Sequence, residues 1–256
     1  DSYIIRRYIL KDHIPSVIIT GASGGIGQAL ARRFAEGGYR LFLQGFHHMD
    51  LLRRQAEELA RDFCIPVLPL QADLSDYAAL TKMFETILKE DPAPDCLVNN
   101  AGVAFFSLLQ DARVEDWDLV MNTNARSVFG CCKQVLPSML RRHGGTIVNI
   151  SSMWGWAGSS TETLYSASKG AVNAFTRALG KEVAPSGVRV NAIACGVIDT
   201  PMNDMLSPEE RAALAEEIPM GRFAQPSEVA DLAWYLAGPQ SSYLTAQVIT
   251  LDGGYL

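Results

Sequence analysis

Val17-Ile18-Ile19-Thr20-Gly21-Ala22-Ser23-Gly24-Gly25-Ile26-Gly27 is an apolar run that breaks into glycines and leads straight into a helical pattern. The run is strand-sized. Ile26, Ala29, Leu30 and Phe34 then recur at helical spacing across 25–37, and Gly37-Gly38 stops them. Gly21 and Gly27 let the backbone turn tightly and let the helix press onto the strand. Free N–H groups and a partial positive charge at the helix start suit a pyrophosphate. A glycine cluster alone also fits a plain tight turn. Its place between strand and helix favours a dinucleotide. Gly21, Ser23, Gly24, Gly25, Ile26 and Gly27 are the candidate contacts.

The same alternation continues outward. Strands are predicted at 41–43, 67–70, 96–98, 146–150, 188–194 and 247–251, with Pro69 pointing to an edge position for the third strand of the chain. Helices are predicted at 50–62, from an N-cap at Ser75 to about 89, at 115–142 with a bend near Pro137, at 163–183 and at 226–237. Residues 201–225 look like an insertion with two short helices, the first starting at Ser207-Pro208-Glu209. Strand–helix alternation implies a parallel sheet covered on both faces. The expectation is an α/β, doubly wound, Rossmann-type sheet of about seven strands in the order 3-2-1-4-5-6-7, with ligands at the carboxyl ends of the strands. No linker, charge block or repeat divides the chain, so residues 1–256 read as a single domain.

Composition excludes several classes. The chain has 256 residues, 48% apolar and 20% charged, which is ordinary for a globular protein. Its net charge of −6 argues against nucleic acid as the main partner. No apolar run is long enough to span a membrane. Arg6-Arg7 precedes only a short apolar stretch and does not read as a signal peptide, so the expected location is cytoplasmic. Five scattered cysteines lack C-x-x-C spacing, and four histidines form no ligand set. The expectation is buried thiols and no metal.

The end of the second strand reads Gln44-Gly45-Phe46-His47-His48, with no acid before Asp50. A 2′-phosphate meets no repulsion there, and His47, His48 or Arg53 is placed to approach it. This favours NADP(H), with NAD(H) as the other option. Tyr165 and Lys169 are four apart in a helix and share a face. A tyrosine titrates near about 10, and a neighbouring ammonium together with an oxidised nicotinamide lowers that value. Such a phenol can protonate the alkoxide that forms when hydride attacks a ketone. Ser151-Ser152 ends the fifth strand, where a hydroxyl can polarise a carbonyl. Asn99-Asn100-Ala101-Gly102 ends the fourth strand, and Asn124 lies on the helix between the two.

From these residues outward, the chain resembles the short-chain dehydrogenase/reductase family over about 14–256. The matching stretches are T-G-A-S-G-G-I-G at 20–27, A-D-L at 72–74, N-N-A-G at 99–102, T-N-A at 123–125, N-I-S-S at 149–152, Y-S-A-S-K at 165–169, V-N-A-I-A at 190–194 and L-D-G-G at 251–254. The resemblance implies a catalytic tetrad of Asn124, Ser152, Tyr165 and Lys169. Ser152 is chosen over Ser151 because it lies thirteen residues before the tyrosine. Tyr165 is then the general acid and Ser152 the carbonyl polariser. Lys169 holds the nicotinamide ribose and acidifies the phenol, and Asn124 holds a relay water. The resemblance also implies cofactor contacts from Asp73 and Leu74, from Asn100, Ala101 and Gly102, and from Ile198 and Thr200.

The resemblance is greatest to bacterial 3-oxoacyl-[acyl-carrier-protein] reductases, which implies a ketone on a thioester and a homotetramer. In such an assembly Cys131, Cys132, Val135 and the segment 244–256 would line the contacts. Three departures stand out. Cys195-Gly196 replaces the usual Pro-Gly, and Gly24 stands where many NADPH enzymes have arginine. The docking positions for acyl carrier protein fall at His143 and Ser186, with Arg141 and Arg142 as substitutes for the first. S-S-M-W-G at 151–155 and G-V-I-D-T-P-M-N at 196–203 also look like the elongation factor P 5-aminopentanone reductases, which reduce a ketone on a modified protein lysine. Trp154 and Trp156 are candidate walls of a substrate slot, and the segment with Met202, Met205, Leu206, Ile218 and Met220 is a candidate lid. A nucleotide-binding regulator without chemistry is the competing class.

Overall fold

The computed structural model describes residues 14–204 and 206–256. Arg6-Arg7, His13 and Met205 lie outside the described residues. Strands Ser16–Ile19 (β1), Arg40–Gly45 (β2), Val67–Gln71 (β3), Cys96–Asn99 (β4), Gly145–Ser152 (β5), Val188–Cys195 (β6) and Val248–Leu251 (β7) form one sheet. Its order is β3-β2-β1-β4-β5-β6-β7, and every pairing is parallel. This is the doubly wound order expected from the alternation. Strand order reverses between β1 and β4, which opens a crevice at their carboxyl ends. Pro69 lies in β3, the edge strand, where its missing N–H costs no central ladder bond.

The helices are Gly25–Glu36 (α1), Met49–Phe63 (α2), Tyr77–Glu90 (α3), Val114–Met121 (α4), Ser127–Arg141 (α5), Trp154–Ala157 (α6), Thr163–Val183 (α7), Pro208–Glu217 (α8) and Pro226–Ala237 (α9). Side-chain alternation along β1 sorts the core into two layers. Val17 and Ile19 pack with Leu30 and Phe34 of α1, Leu52 of α2 and Val229 of α9. Ile18 packs on the other face with Phe84 of α3, Val135 of α5 and Val172 of α7. Burial on both faces explains why the strands read as unbroken apolar runs. No helix among the described residues is long and apolar enough to cross a membrane.

Several details differ from the expectations, among them Cys64, which is exposed while the other four cysteines are buried. Asp76, not Ser75, caps α3: its Oδ1 accepts from the Ala78 N–H at 2.8 Å. Ser75 is instead turned back, its N–H and hydroxyl both donating to Asp73 Oδ1. The long helix departs from α geometry at a π turn over Asn122–Arg126, whereas Pro137 sits inside α5. The insertion holds a 3₁₀ turn at Pro201–Asn203 before α8, and α8 starts where expected, capped by Ser207. Cys131, Cys132 and Val135 are 0–1% exposed, packed in the chain's own core, so they cannot line a contact between copies.

Candidate active site

The glycine turn is held by polar groups from three strands. Gly21 adopts φ +62°, and a Cβ there would come within 2.8 Å of Ala101 Cα. Its N–H donates to Gln44 Oε1 at 2.8 Å, and Gln44 Nε2 donates to the Ala72 carbonyl at 2.8 Å. Thr20 Oγ1 accepts from the N–H groups of Asn100 and Ala101, while Asn100 Nδ2 donates to the carbonyls of Thr20 and Gly21. A Cβ on Gly27 would overlap the Gly21 carbonyl, and one on Gly25 would sit 2.9 Å from Thr200 Cγ2. Gly24 caps α1 with no side chain, and no acid stands in the first turn. A bare helix start beneath a backbone cradle fits the pyrophosphate of a dinucleotide.

The other expected cofactor contacts fall along the same carboxyl edge. Ile198 is buried, and Asn203 Nδ2 donates to its carbonyl at 2.7 Å, which holds Thr200 over Gly25. Leu74 belongs to the core below β3, and one carboxylate oxygen of Asp73 is engaged by Ser75. His47 stacks obliquely on Phe46, with ring centres 4.4 Å apart. His47 and His48 line a hollow of about 300 Å³ with Gln71 and Arg54. Arg54 lines this hollow whereas Arg53 does not, and Asp50, which pairs with Arg53 at 3.3 Å, lines it too.

The four tetrad candidates converge beside Gly102. Asn124 is 1% exposed. Its Oδ1 accepts from the Val103 N–H at 2.8 Å, and its Nδ2 donates to the Val103 carbonyl at 2.9 Å and to Ser168 Oγ at 3.0 Å. Ser168 in turn donates to the Tyr165 carbonyl at 2.7 Å. The Asn124 side chain thus uses three of its four hydrogen bonds as a brace, and the π turn is the place where the helix gives it up to Val103. A Cβ on Gly102 would sit 3.2 Å from Asn124 Oδ1 and 3.4 Å from Lys169 Nζ. Lys169 Nζ donates to the Ile150 carbonyl at 2.9 Å and lies 5.6 Å from the centre of the Tyr165 ring.

Strand alternation separates the two serines. Ser151 Oγ donates to Asn173 Oδ1 at 2.6 Å and faces α7. Ser152 Oγ accepts from the Trp154 N–H at 3.1 Å, and its hydroxyl acts to lower the Tyr165 phenol. Ser151 and Asn173 set the spacing between β5 and α7 one turn beyond Lys169.

Burial dominates the electrostatics of the Tyr165–Lys169 pair. Burial pushes the Tyr165 phenol well above its ordinary value. Ser152 opposes the rise, and Cys195 and Glu162 add to it. Burial also lowers Lys169 to about 8, with the Cys195 thiol partly restoring it. The Lys169 ammonium is itself desolvated and donates to the Ile150 carbonyl. Cys195, paired in register with Ser152, is a buried thiol pushed up to about 12 by desolvation.

Several other expectations separate. Trp154 meets Tyr255 edge-on at 5.8 Å, while Trp156 is 52% exposed with the Arg177 guanidinium 4.1 Å from its ring centre, so the two do not form one wall. Tyr255 also donates to Glu217 at the end of α8 at 2.7 Å. Arg142 is occupied by the carbonyls of Ala93, Pro94 and Gly144 and by Asp95, so of the two substitute docking cations only Arg141 is exposed. Sequence reasoning passed over Gln44, Asn173 and Glu162. The signal for Gln44 was a polar residue directly after Leu41-Phe42-Leu43 in the same strand, since an amide buried among apolar neighbours must find partners.

Comparisons with known proteins agree with this architecture. Residues 21–256 match the family model described as Enoyl-(Acyl carrier protein) reductase. The chain is 38% identical to the uncharacterized oxidoreductase YmfI of Bacillus subtilis, over 94% of this chain and 98% of that one. It is 38% identical to the 3-oxoacyl-[acyl-carrier-protein] reductase FabG of Thermotoga maritima, over 93% and 96%. Among solved structures, a variant of actinorhodin polyketide ketoreductase with NADPH superposes with a TM-score of 0.89 at 35% identity, covering 94% of this chain and 97% of that one. The sheet order, the glycine cradle and these matches place the chain among the oxidoreductases, as a member of the short-chain dehydrogenase/reductase family.

Proposed function

We propose that the chain is an NADPH-dependent ketone reductase: one cytoplasmic domain with residues 201–225 as its lid, assembled as a homotetramer. The observation that carries the reading is the meeting of Ser152, Tyr165 and Lys169 at the carboxyl edge, beside a glycine cradle shaped for a pyrophosphate. A reduced nicotinamide supplies the hydride when bound. Gly21 to Gly27, Asn100 to Gly102, Ile198 and Thr200 hold the dinucleotide, and the His47–Arg54 hollow receives a 2′-phosphate. Ser152 donates to the ketone oxygen and steadies the charge that grows on it. Tyr165 keeps its proton through the neutral range and delivers it to that oxygen. Lys169 then faces the phenolate with its ammonium, and Asn124 keeps the floor of the site in place through Val103 and Ser168.

A 3-oxoacyl thioester is the leading substrate, supported by the FabG relatives. The second reading, a ketone on a modified lysine of elongation factor P, rests on Met153-Trp154-Gly155 beside Ser152 and on the missing docking cation at Ser186. The test is NADPH oxidation with an acetoacetyl thioester. Tyr165→Phe is expected to lower kcat by ~10²-fold or more, the ordinary contribution of a positioned acid. Undiminished turnover in that variant removes Tyr165 from the mechanism.

A further inference from the structure

Tyr165, Lys169 and Asn173 follow one another at four-residue intervals and share a face of α7. The last two grip successive residues of β5. Lys169 Nζ donates to the Ile150 carbonyl at 2.9 Å, and Asn173 Oδ1 accepts from Ser151 Oγ at 2.6 Å. The next residue of the strand is Ser152. The turn after it, α6, starts with the Trp154 N–H on Ser152 Oγ and rests Gly155 on the Lys169–Asn173 turn: a Cβ on Gly155 would lie 2.7 Å from Asn173 Nδ2 and 2.9 Å from the Lys169 carbonyl. Asn173 is 2% exposed, and among the described residues its Nδ2 has no hydrogen-bond partner. Turning the amide over exchanges its two polar atoms and leaves the other one against Gly155. A buried amide atom without a partner costs stability, and a leucine of nearly the same size would remove that cost. Ser151 does not need the asparagine to be satisfied, because its hydroxyl also lies 3.3 Å from the Lys169 carbonyl. Nor does α7 need it to stay on the sheet, since Thr176 accepts from Asn149 Nδ2 at 2.9 Å. Packing alone therefore favours an apolar residue at 173. What asparagine adds is one short, directional bond to the strand that ends in Ser152.

We infer that Asn173 is a positioning residue for ketone reduction: through Ser151 it fixes the register of α7 on β5, and with it the places of Tyr165 and Lys169 relative to Ser152. The inference rests on the ketone-reductase reading. A displacement of about 1 Å at a reacting centre costs about 10²-fold in rate at the extreme, so a loosened register shows in turnover before it shows in binding.

Asn173→Leu, Ser151→Ala and the double variant test it, with NADPH, an acetoacetyl thioester and simple diketones as substrates, and kcat counted per NADPH-binding site. In Asn173→Leu the midpoint of thermal unfolding is expected to hold or rise and KM to stay within about twofold, while kcat falls about tenfold. Ser151→Ala is expected to lower kcat to a similar extent, and the double variant by about tenfold rather than about a hundredfold, because both substitutions remove the same bond. Undiminished kcat in Asn173→Leu overturns the assignment, as do losses that multiply in the double variant. If leucine lowers the unfolding midpoint by several degrees, Ser151→Ala alone decides: a fall in kcat at constant KM upholds the link, and unchanged kcat ends it. Absence of turnover by the wild type with all of these ketones sinks the reductase reading instead. A crystal structure of Asn173→Leu with NADPH then still reads Asn173: Lys169 Nζ moved off the Ile150 carbonyl upholds its role, and an unmoved Lys169 ends it.

Discussion

Gln44→Met isolates the brace beneath the glycine turn. Methionine keeps the unbranched stem and deletes both polar atoms, leaving the Gly21 N–H and the Ala72 carbonyl without their 2.8 Å partners. Gln44 is 3% exposed, so water reaches the gap poorly, although Gly21 itself is half-buried and recovers part of its loss. Each orphaned group costs about 1–3 kcal/mol, so ~2–4 kcal/mol is expected for the pair. At about 2–4 °C per kcal/mol for a chain of this size, the midpoint of thermal unfolding falls by ~4–16 °C. Gly21 loses the bond that holds its left-handed turn against Ala101, so NADPH binding is expected to weaken about tenfold, equivalent to ~1.4 kcal/mol. Differential scanning calorimetry reads the first effect and fluorescence titration with NADPH the second. A midpoint within ~1 °C of wild type together with unchanged affinity refutes the assignment of Gln44 as a brace.

Two further outcomes follow from the site. Lys169 is lowered from 10.5 to about 8, so the folded chain releases this proton before the unfolded chain does. Its contribution to stability is present above 10.5 and is lost as pH falls through 8, while the ammonium needed beside Tyr165 is lost as pH rises through 8. Accordingly kcat/KM for ketone reduction is expected to bend downward above pH 8 in a steady-state profile, and a flat profile to pH 10 contradicts the role given to Lys169. Arg54→Ala removes the guanidinium from the hollow at the end of β2. The ratio of kcat/KM for NADPH to that for NADH is expected to fall about tenfold, as one charge-assisted contact is lost, and an unaltered ratio moves the 2′-phosphate elsewhere.

The sheet order was legible because short apolar runs and helical periods alternate without interruption, and a parallel sheet buried on both faces leaves few other arrangements. Pro69 announced an edge strand by chemistry alone. Alternation along β5 also dictates that the two adjacent serines face opposite sides, Ser151 toward Asn173 and Ser152 toward Trp154. What stayed hidden depends on contacts between distant segments. Ser75 and Asp76 are both good caps, and only the pull of Asp73 on Ser75 decides between them. How deeply Tyr165 and Lys169 are desolvated, which raises the one and lowers the other, is not revealed by any spacing. Cys131, Cys132 and Val135 share a helix with exposed Phe129, and burial assigns them to the inner face of α5.

The π turn at Asn122–Arg126 also constrains how this chain can vary. Each residue advances a helix by about 100°, so the wider loop puts α5 out of phase with α4. Removing one residue from that loop would restore a uniform pitch but rotate one half against the other. Either the inner stripe of α5 would leave the layer around Phe84, or Asn124 would swing off Val103. Substitutions elsewhere along this helix can drift one at a time, but its length between Val120 and Val128 is set to the residue.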